Sequence, residues 1–352
     1  MAYTTINKST EHFNTKLYTG TGSQLAVTGV GFQPDFIWFK NRGTTNSHGL
    51  QDVVRGFNTT GIQSTNGTDA DPSFNGSTLG YVSAAGSDGF TVEAGNCANA
   101  SGNTYVGWNW KANGAGSSNT DGSITSTVSA NTTSGFSIIT YTGNGTSGAT
   151  IGHGLGAVPK MIIIKRTDSS NGWGVYHHTL GTGKELYLNY DFSEQSSNFW
   201  ITTPTTSVFS VSNSDYVNLN TATYVAYCFA EKTGYSKFGS YVGNGNADGT
   251  FVYTGFKPAF VIVKCSTTAT DWELSDNKRT TSGGNVIDKE LRPNTNGAET
   301  GGTDGRYIDY LSNGFKLRQG FGNWNNSGDT YIYMAFAEAP LVGSNGVTAK
   351  AR

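Results

Sequence analysis

The stretch Thr140-Tyr141-Thr142-Gly143-Asn144-Gly145, followed by Gly154-Leu155-Gly156-Ala157-Val158-Pro159-Lys160-Met161-Ile162-Ile163-Ile164-Lys165, decides the fold because its pattern occurs three times. Upstream, Leu17-Tyr18-Thr19-Gly20-Thr21-Gly22 leads to Gly31-Phe32-Gln33-Pro34-Asp35-Phe36-Ile37-Trp38-Phe39-Lys40. Downstream, Ser240-Tyr241-Val242-Gly243-Asn244-Gly245 leads to Gly255-Phe256-Lys257-Pro258-Ala259-Phe260-Val261-Ile262-Val263-Lys264. Each copy reads Tyr-x-Gly-x-Gly, then Pro, then an apolar run ending in Lys. Glycines that accept positive φ predict a turn or bulge between strands. Proline fits a strand start, where its missing N–H costs least. A short apolar run bounded by turns predicts a strand buried on both faces.

A second signature closes each copy in the same order. Gly89-Phe90-Thr91-Val92 precedes Thr104-Tyr105-Val106-Gly107-Trp108, Val208-Phe209-Ser210-Val211 precedes Thr223-Tyr224-Val225-Ala226-Tyr227, and Gly314-Phe315-Lys316-Leu317 precedes Thr330-Tyr331-Ile332-Tyr333-Met334. The interval from Pro34 to Tyr105 is close to those from Pro159 to Tyr224 and from Pro258 to Tyr331, which predicts one duplicated domain. The expected fold is all-β, with three tandem diverged repeats, each a β-sandwich of jelly-roll or lectin-like type.

The expected domains are 1–111, 135–234 and 235–352. Residues 112–134, rich in Gly, Ser, Asn and Thr, read as a linker with one short strand over 123–129. Copies two and three abut at Lys232–Tyr235 and share Trp173/Trp272 and Lys184-Glu185-Leu186/Lys289-Glu290-Leu291. His48 stands at the Trp offset in copy one. This asymmetry predicts that copy one attaches, the rigid pair projects, and proteolysis cuts first within 112–134.

Composition agrees with a β protein. Of 352 residues, 48 are Gly and only 7 Pro, with 19 Phe, 18 Tyr and 7 Trp between polar turn residues. Charged residues are 14% and the net charge is −2, with no Lys/Arg run longer than two, so a nucleic-acid footprint is absent. No apolar window reaches the roughly 18 residues of a membrane helix, and MAYTTINKSTEHF lacks the apolar core of a signal peptide. Cys97, Cys228 and Cys265 have no CxxC spacing and read as buried thiols.

No HExxH, CxxC, GxSxG or Walker pattern occurs, and no cofactor, metal site or catalytic residue is expected. The adjacent His177 and His178 point to opposite faces of a strand and do not share a ligand. His153 reads as a turn residue. Asp52/Arg55 and Asp276/Arg279 hold the same offsets from Pro34 and Pro258, while copy two has His177 and Leu180 there; these read as ion pairs within turns. Asn244–Gly249 is explained by turn chemistry rather than calcium binding. An aromatic beside Asn or Asp can offer its face to a sugar. Trp173, Trp272, His177 and Asp271 are therefore the candidate glycan contacts, with a buried core Trp as the competing reading. The carboxylates Glu185, Glu194, Glu290 and Glu299 show no spacing that singles out a depolymerase pair.

Several segments resemble a known family: TTINKSTEHFNTKLYTGTG at the start, VGFQPDFIWFKNR, WKANGAGSSNTDGSI, SGFSIITYTGNGT with IGHGLGAVPKMIIIKR, and FAEAPLVGSNGVTAKAR at the end. The family is that of tail-fibre-like virion structural proteins of marine bacteriophages, those of cyanobacteria and pelagic bacteria included. The resemblance implies a non-enzymatic protein of the virion, assembled in the host cytoplasm and released by lysis, with other virion proteins and a host-surface glycan as partners. It implies a homo-oligomer, a trimer being usual for fibres. A capsid-decorating or knob protein is the alternative, and a polysaccharide depolymerase a lesser one.

Overall fold

A computed structural model describes residues 4–71, 76–281, 286–301, 308–320, 322–340 and 342. The expected C-terminal tail lies largely outside them. The regular structure of the described residues is almost entirely antiparallel β; helix is confined to a 3-10 turn at Ser9–Glu11 and one turn at Gly76–Leu79.

Each unit contains four antiparallel strands in one order, which in the second unit form the middle of an eight-stranded sheet. In the first unit the strands lie Phe13–Thr19, Thr104–Trp110, Phe36–Asn41, Gly49–Asp52. In the second the corresponding order is Phe136–Thr142, Thr223–Ala230, Pro159–Arg166, Trp173–His177. In the third it is Ser236–Val242, Thr330–Pro340, Phe256–Cys265, Glu273–Asp276. Another sheet packs on one face of each; in the second unit it is the pair Ala149–Gly152 and Val208–Val211.

Successive side chains of a strand face opposite sides, and this alternation explains the unbroken apolar runs. Ile37 and Phe39, Ile162 and Ile164, and Val261 and Val263 face inward into their own sandwiches, against Phe90, Phe209 and Phe315 respectively. The intervening Phe36 and Trp38, Met161 and Ile163, and Phe260 and Ile262 face the other way, into one core built by all three units. Rings cross every boundary there: Phe36–Tyr227 at 4.7 Å, Trp108–Phe260 at 6.1 Å and Phe229–Phe336 at 6.1 Å between centroids. Burial of such a side chain contributes about 1.5–3 kcal/mol, so the shared core, and not chain connectivity alone, holds the units together.

The Tyr-x-Gly-x-Gly signature has one structural role in each unit. Its Tyr stacks on the Tyr of the closing strand: Tyr18 on Tyr105, Tyr141 on Tyr224 and Tyr241 on Tyr331, each pair 5.1 Å apart and nearly parallel. The first Tyr donates its hydroxyl to Ala98 O, Val217 O or Trp324 O. A buried Asn side chain (Asn99, Asn218 or Asn325) accepts the N–H of the residue after the first Gly. That Gly is required by close approach, since a Cβ on Gly20, Gly143 or Gly243 would lie 2.1–2.2 Å from a backbone oxygen.

Residues 112–134 are not a bare linker. Strands Ser117–Asn119 and Ser126–Asn131 add to the edge of the second sheet through Phe136–Thr142. Ile124 and Val128 are buried in the second sandwich. The expected strand over 123–129 is displaced toward the C-terminus and gains a partner strand. Small polar residues suit an edge strand as well as a linker, so composition alone does not separate the two. The first unit is not set apart; it shares the central core with the other two.

Candidate functional site

The three units meet in a closed ring in which two contact types recur at all three boundaries. The segment Ser64–Asp71 reaches from unit one to unit two, Tyr187–Glu194 from two to three, and Arg292–Glu299 from three to one. At the near end of each arm, a ring N–H of the next unit donates to a carbonyl. Trp173 Nε1 donates to Ser64 O at 3.0 Å, Trp272 Nε1 to Tyr187 O at 2.8 Å, and His48 Nε2 to Arg292 O at 3.0 Å. Trp38 Nε1 donates to His48 Nδ1, which assigns the proton of His48 to Nε2. At the far end, the N–H of an acidic residue donates across the same boundary: Asp71 to Thr167 O, Glu194 to Ser266 O and Glu299 to Arg42 O, at 2.9, 2.7 and 2.8 Å. Asn66, Asn189 and Asn294 steady the arms by accepting the backbone N–H of His48, Trp173 and Trp272.

The Asp/Arg offset that copy two lacks is a junction too. Asp52 accepts from Tyr227 Oη at 2.8 Å and Asp276 accepts from Trp108 Nε1 at 2.9 Å, each also paired with its own Arg55 or Arg279. At the third boundary the position of Trp108 and Tyr227 is Met334, which has no donor. There His177 supplies the donor instead, from Nε2 to Tyr333 O at 3.2 Å, while its Nδ1 is held by Thr179 Oγ1 at 2.8 Å. Burial first, then the neighbouring His178, pushes the His177 imidazole down to about 3. The Lys that ends each apolar run is buried. Lys165 donates to Thr68 O and Lys264 to Asp191 O across a junction, whereas Lys40 donates to Asn41 O and Thr44 O in its own unit. Burial lowers all three ammonium groups from 10.5 to about 8.

This arrangement corrects three of the four expected glycan contacts. Trp173 and His177 are fully buried and Trp272 is 1% exposed, so none offers a face or edge to a sugar. Asp271 is tied to Arg292 and Asn294. The candidate carboxylates are likewise scattered: Glu194 pairs with Lys184, Glu299 with Arg42 and Arg279, and Glu290 with Arg292. Glu185 accepts from Tyr187 Oη and is pushed up to about 7 by burial. Among the described residues, no group of three His, Cys, Asp or Glu side chains is placed to hold a metal.

The surface feature that sequence reading missed is a groove of about 500 Å³ at the first junction. Its floor is the axis-facing side of the second sheet. Phe136 and Ile138 on that face enter the central core; two and four residues beyond Ile138, the same face carries Thr140 and Thr142. Ser118, Thr127 and Thr140 lie opposite one another across three strands, and Thr142 lies opposite Thr223. Thr223 Oγ1 is 2.7 Å from Thr167 Oγ1. Arg55 and Asp71 of the first unit close one side. The Arg55 guanidinium is committed to Asp52, Asp71 and Tyr227. Burial raises the Asp71 carboxyl, and Arg55 partly offsets that rise.

Fold and site together define a single-chain ring of three β-sandwiches with a hydroxyl-lined groove at one junction. Residues 8–340 match the model of a domain of unknown function, DUF7483, and the chain belongs to that family. The match runs through all three units and every junction between them. No curated protein matches the chain.

Proposed function

We propose that this chain is a non-enzymatic structural protein of a bacteriophage particle, of the tail-fibre or appendage type, that holds the particle to a host-surface glycan. The observation that carries the reading is the closed ring. One chain builds a sparsely charged β body whose units are joined by a shared core and by hydrogen bonds at each boundary, with a hydroxyl-lined groove of about 500 Å³ at one junction. Such a body suits display outside a cell. The segments that resemble tail-fibre-like proteins supply the setting, and other virion proteins would be its neighbours. The homotrimer expected of fibres has a counterpart inside the chain, since one chain already places three like sheets about an axis.

The same ring favours a second reading, a capsid-decorating protein seated at a threefold position of a shell. Gold-labelled antibody against the chain on purified particles separates the two. Label on tails or fibres supports the first reading, label on capsid faces supports the second, and particles without label contradict both.

A further inference from the structure

We infer that the groove between the first and second units binds an uncharged oligosaccharide, an inference that rests on the attachment reading and names its site. A volume of about 500 Å³ falls within the usual range for small-ligand sites, about 300–1,000 Å³. Thr127, Thr140, Thr142 and Thr223 present hydroxyls, and a hydroxyl both donates and accepts. That is the hydrogen-bonding character of a sugar ring's own hydroxyls. The lining offers an acidic sugar no uncommitted cation. Its cation is Arg55, whose Nε, Nη1 and Nη2 already donate to Asp52, Asp71 and Tyr227 at 2.6–3.1 Å, and Asp71 adds negative charge at the rim.

The groove also breaks the likeness of the three junctions. Strands Ser117–Asn119 and Ser126–Asn131 extend the floor of the second sheet alone; the first and third sheets end at Phe13–Thr19 and Ser236–Val242. The two added strands contribute Ser118 and Thr127 to the lining. They build a surface that the fold of the other two units does without.

The test is titration calorimetry on the full chain with a panel of neutral gluco-, manno- and galacto-oligosaccharides and, beside it, oligouronates. Thr142→Trp fills the groove from an exposed position, and Thr223→Val removes one hydroxyl at constant shape. The expected result is binding of at least one neutral member, no tighter binding of any uronate, and loss of about tenfold or more in Thr142→Trp at an unchanged melting temperature. For Thr223→Val the expected loss is roughly three- to tenfold, the effect of one hydrogen bond. If Thr142→Trp does not fold, Thr223→Val decides alone. No binding of any neutral member, preference for uronates, or neutral binding unchanged in the folded variants overturns the inference. Host-cell adsorption that is strong and equal in wild type and variants would sink the groove and leave the attachment reading standing. Neutral-sugar binding through the groove by a protein absent from the particle would do the reverse.

Discussion

Trp108 of the first unit donates its indole N–H to Asp276 of the third at 2.9 Å, across 168 residues of chain. Asp276 also holds Arg279 at 2.5 Å, both side chains fully buried, and Arg279 lies over the Trp108 ring at 5.5 Å. Asp276→Ala leaves a buried guanidinium with Glu299 and the Leu274 carbonyl as its remaining partners. Removing one member of a buried pair costs about 3–5 kcal/mol. Urea unfolding of Asp276→Ala should show a loss of that size, and Asp52→Ala a comparable one. A loss under about 1 kcal/mol at either site would contradict the junction assigned to it.

Trp173→Phe keeps the packing of a buried aromatic and removes the donor to Ser64. The expected cost is about 1 kcal/mol for the hydrogen bond, plus the penalty of an orphaned carbonyl. Sugar binding, where present, should be unaffected, because Trp173 is buried. Calorimetric titration alongside thermal unfolding checks both statements; loss of binding at unchanged stability would put Trp173 on the surface, against this structure.

Gly143→Ala places a Cβ 2.2 Å from Leu219 O. The turn must shift, and overpacking of this kind costs about 1–3 kcal/mol. Gly148→Ala, where a Cβ meets no neighbour within 4 Å but φ is +86°, isolates the backbone strain from the contact. The first should lower the melting temperature more than the second.

His177 gives the fold a sensitivity to acid. In the unfolded chain its imidazole takes a proton near 6.5, whereas in the fold burial keeps it neutral to about pH 3. Its contribution is complete above pH 6.5 and is lost as the pH falls toward 3, because there the unfolded chain binds more protons. Glu185, raised to about 7, works with the opposite sign between pH 4.5 and 7. Comparing wild type with His177→Gln isolates the first effect. The variant's stability should fall less on going from pH 6.5 to 4, by up to about 1.4 kcal/mol per pH unit. Parallel curves would show that His177 titrates normally in the fold.

The sequence signals that spoke most clearly were local. Tyr-x-Gly-x-Gly marks a turn because two chain segments touch within it, and the Pro-to-Lys run marks a strand because both its faces are buried. All-β sandwich character follows from these. The ring was hidden because the Trp173–Ser64 bond joins residues 109 apart, and a lone carbonyl has no side-chain signature. Asn66 escaped notice since copy one has Ile62 and Gln63 where the others read Glu-Leu. His177 looked like a missing Asp; its role is legible only when Met334 is seen to lack a donor. The groove was illegible for a related reason: its floor is completed by strands whose Ser, Thr and Asn residues resemble a linker in composition.

The central claim is that three units form one closed body rather than beads on a string, and a single cut tests it. A protease site inserted between Ala115 and Gly116, in the exposed stretch before Ser117–Asn119, allows the chain to be severed between the first unit and the rest. The closed ring predicts that the nicked protein still migrates on size exclusion as a 37.3 kDa particle and separates only in denaturant. Separation into two folded pieces in native buffer would contradict it.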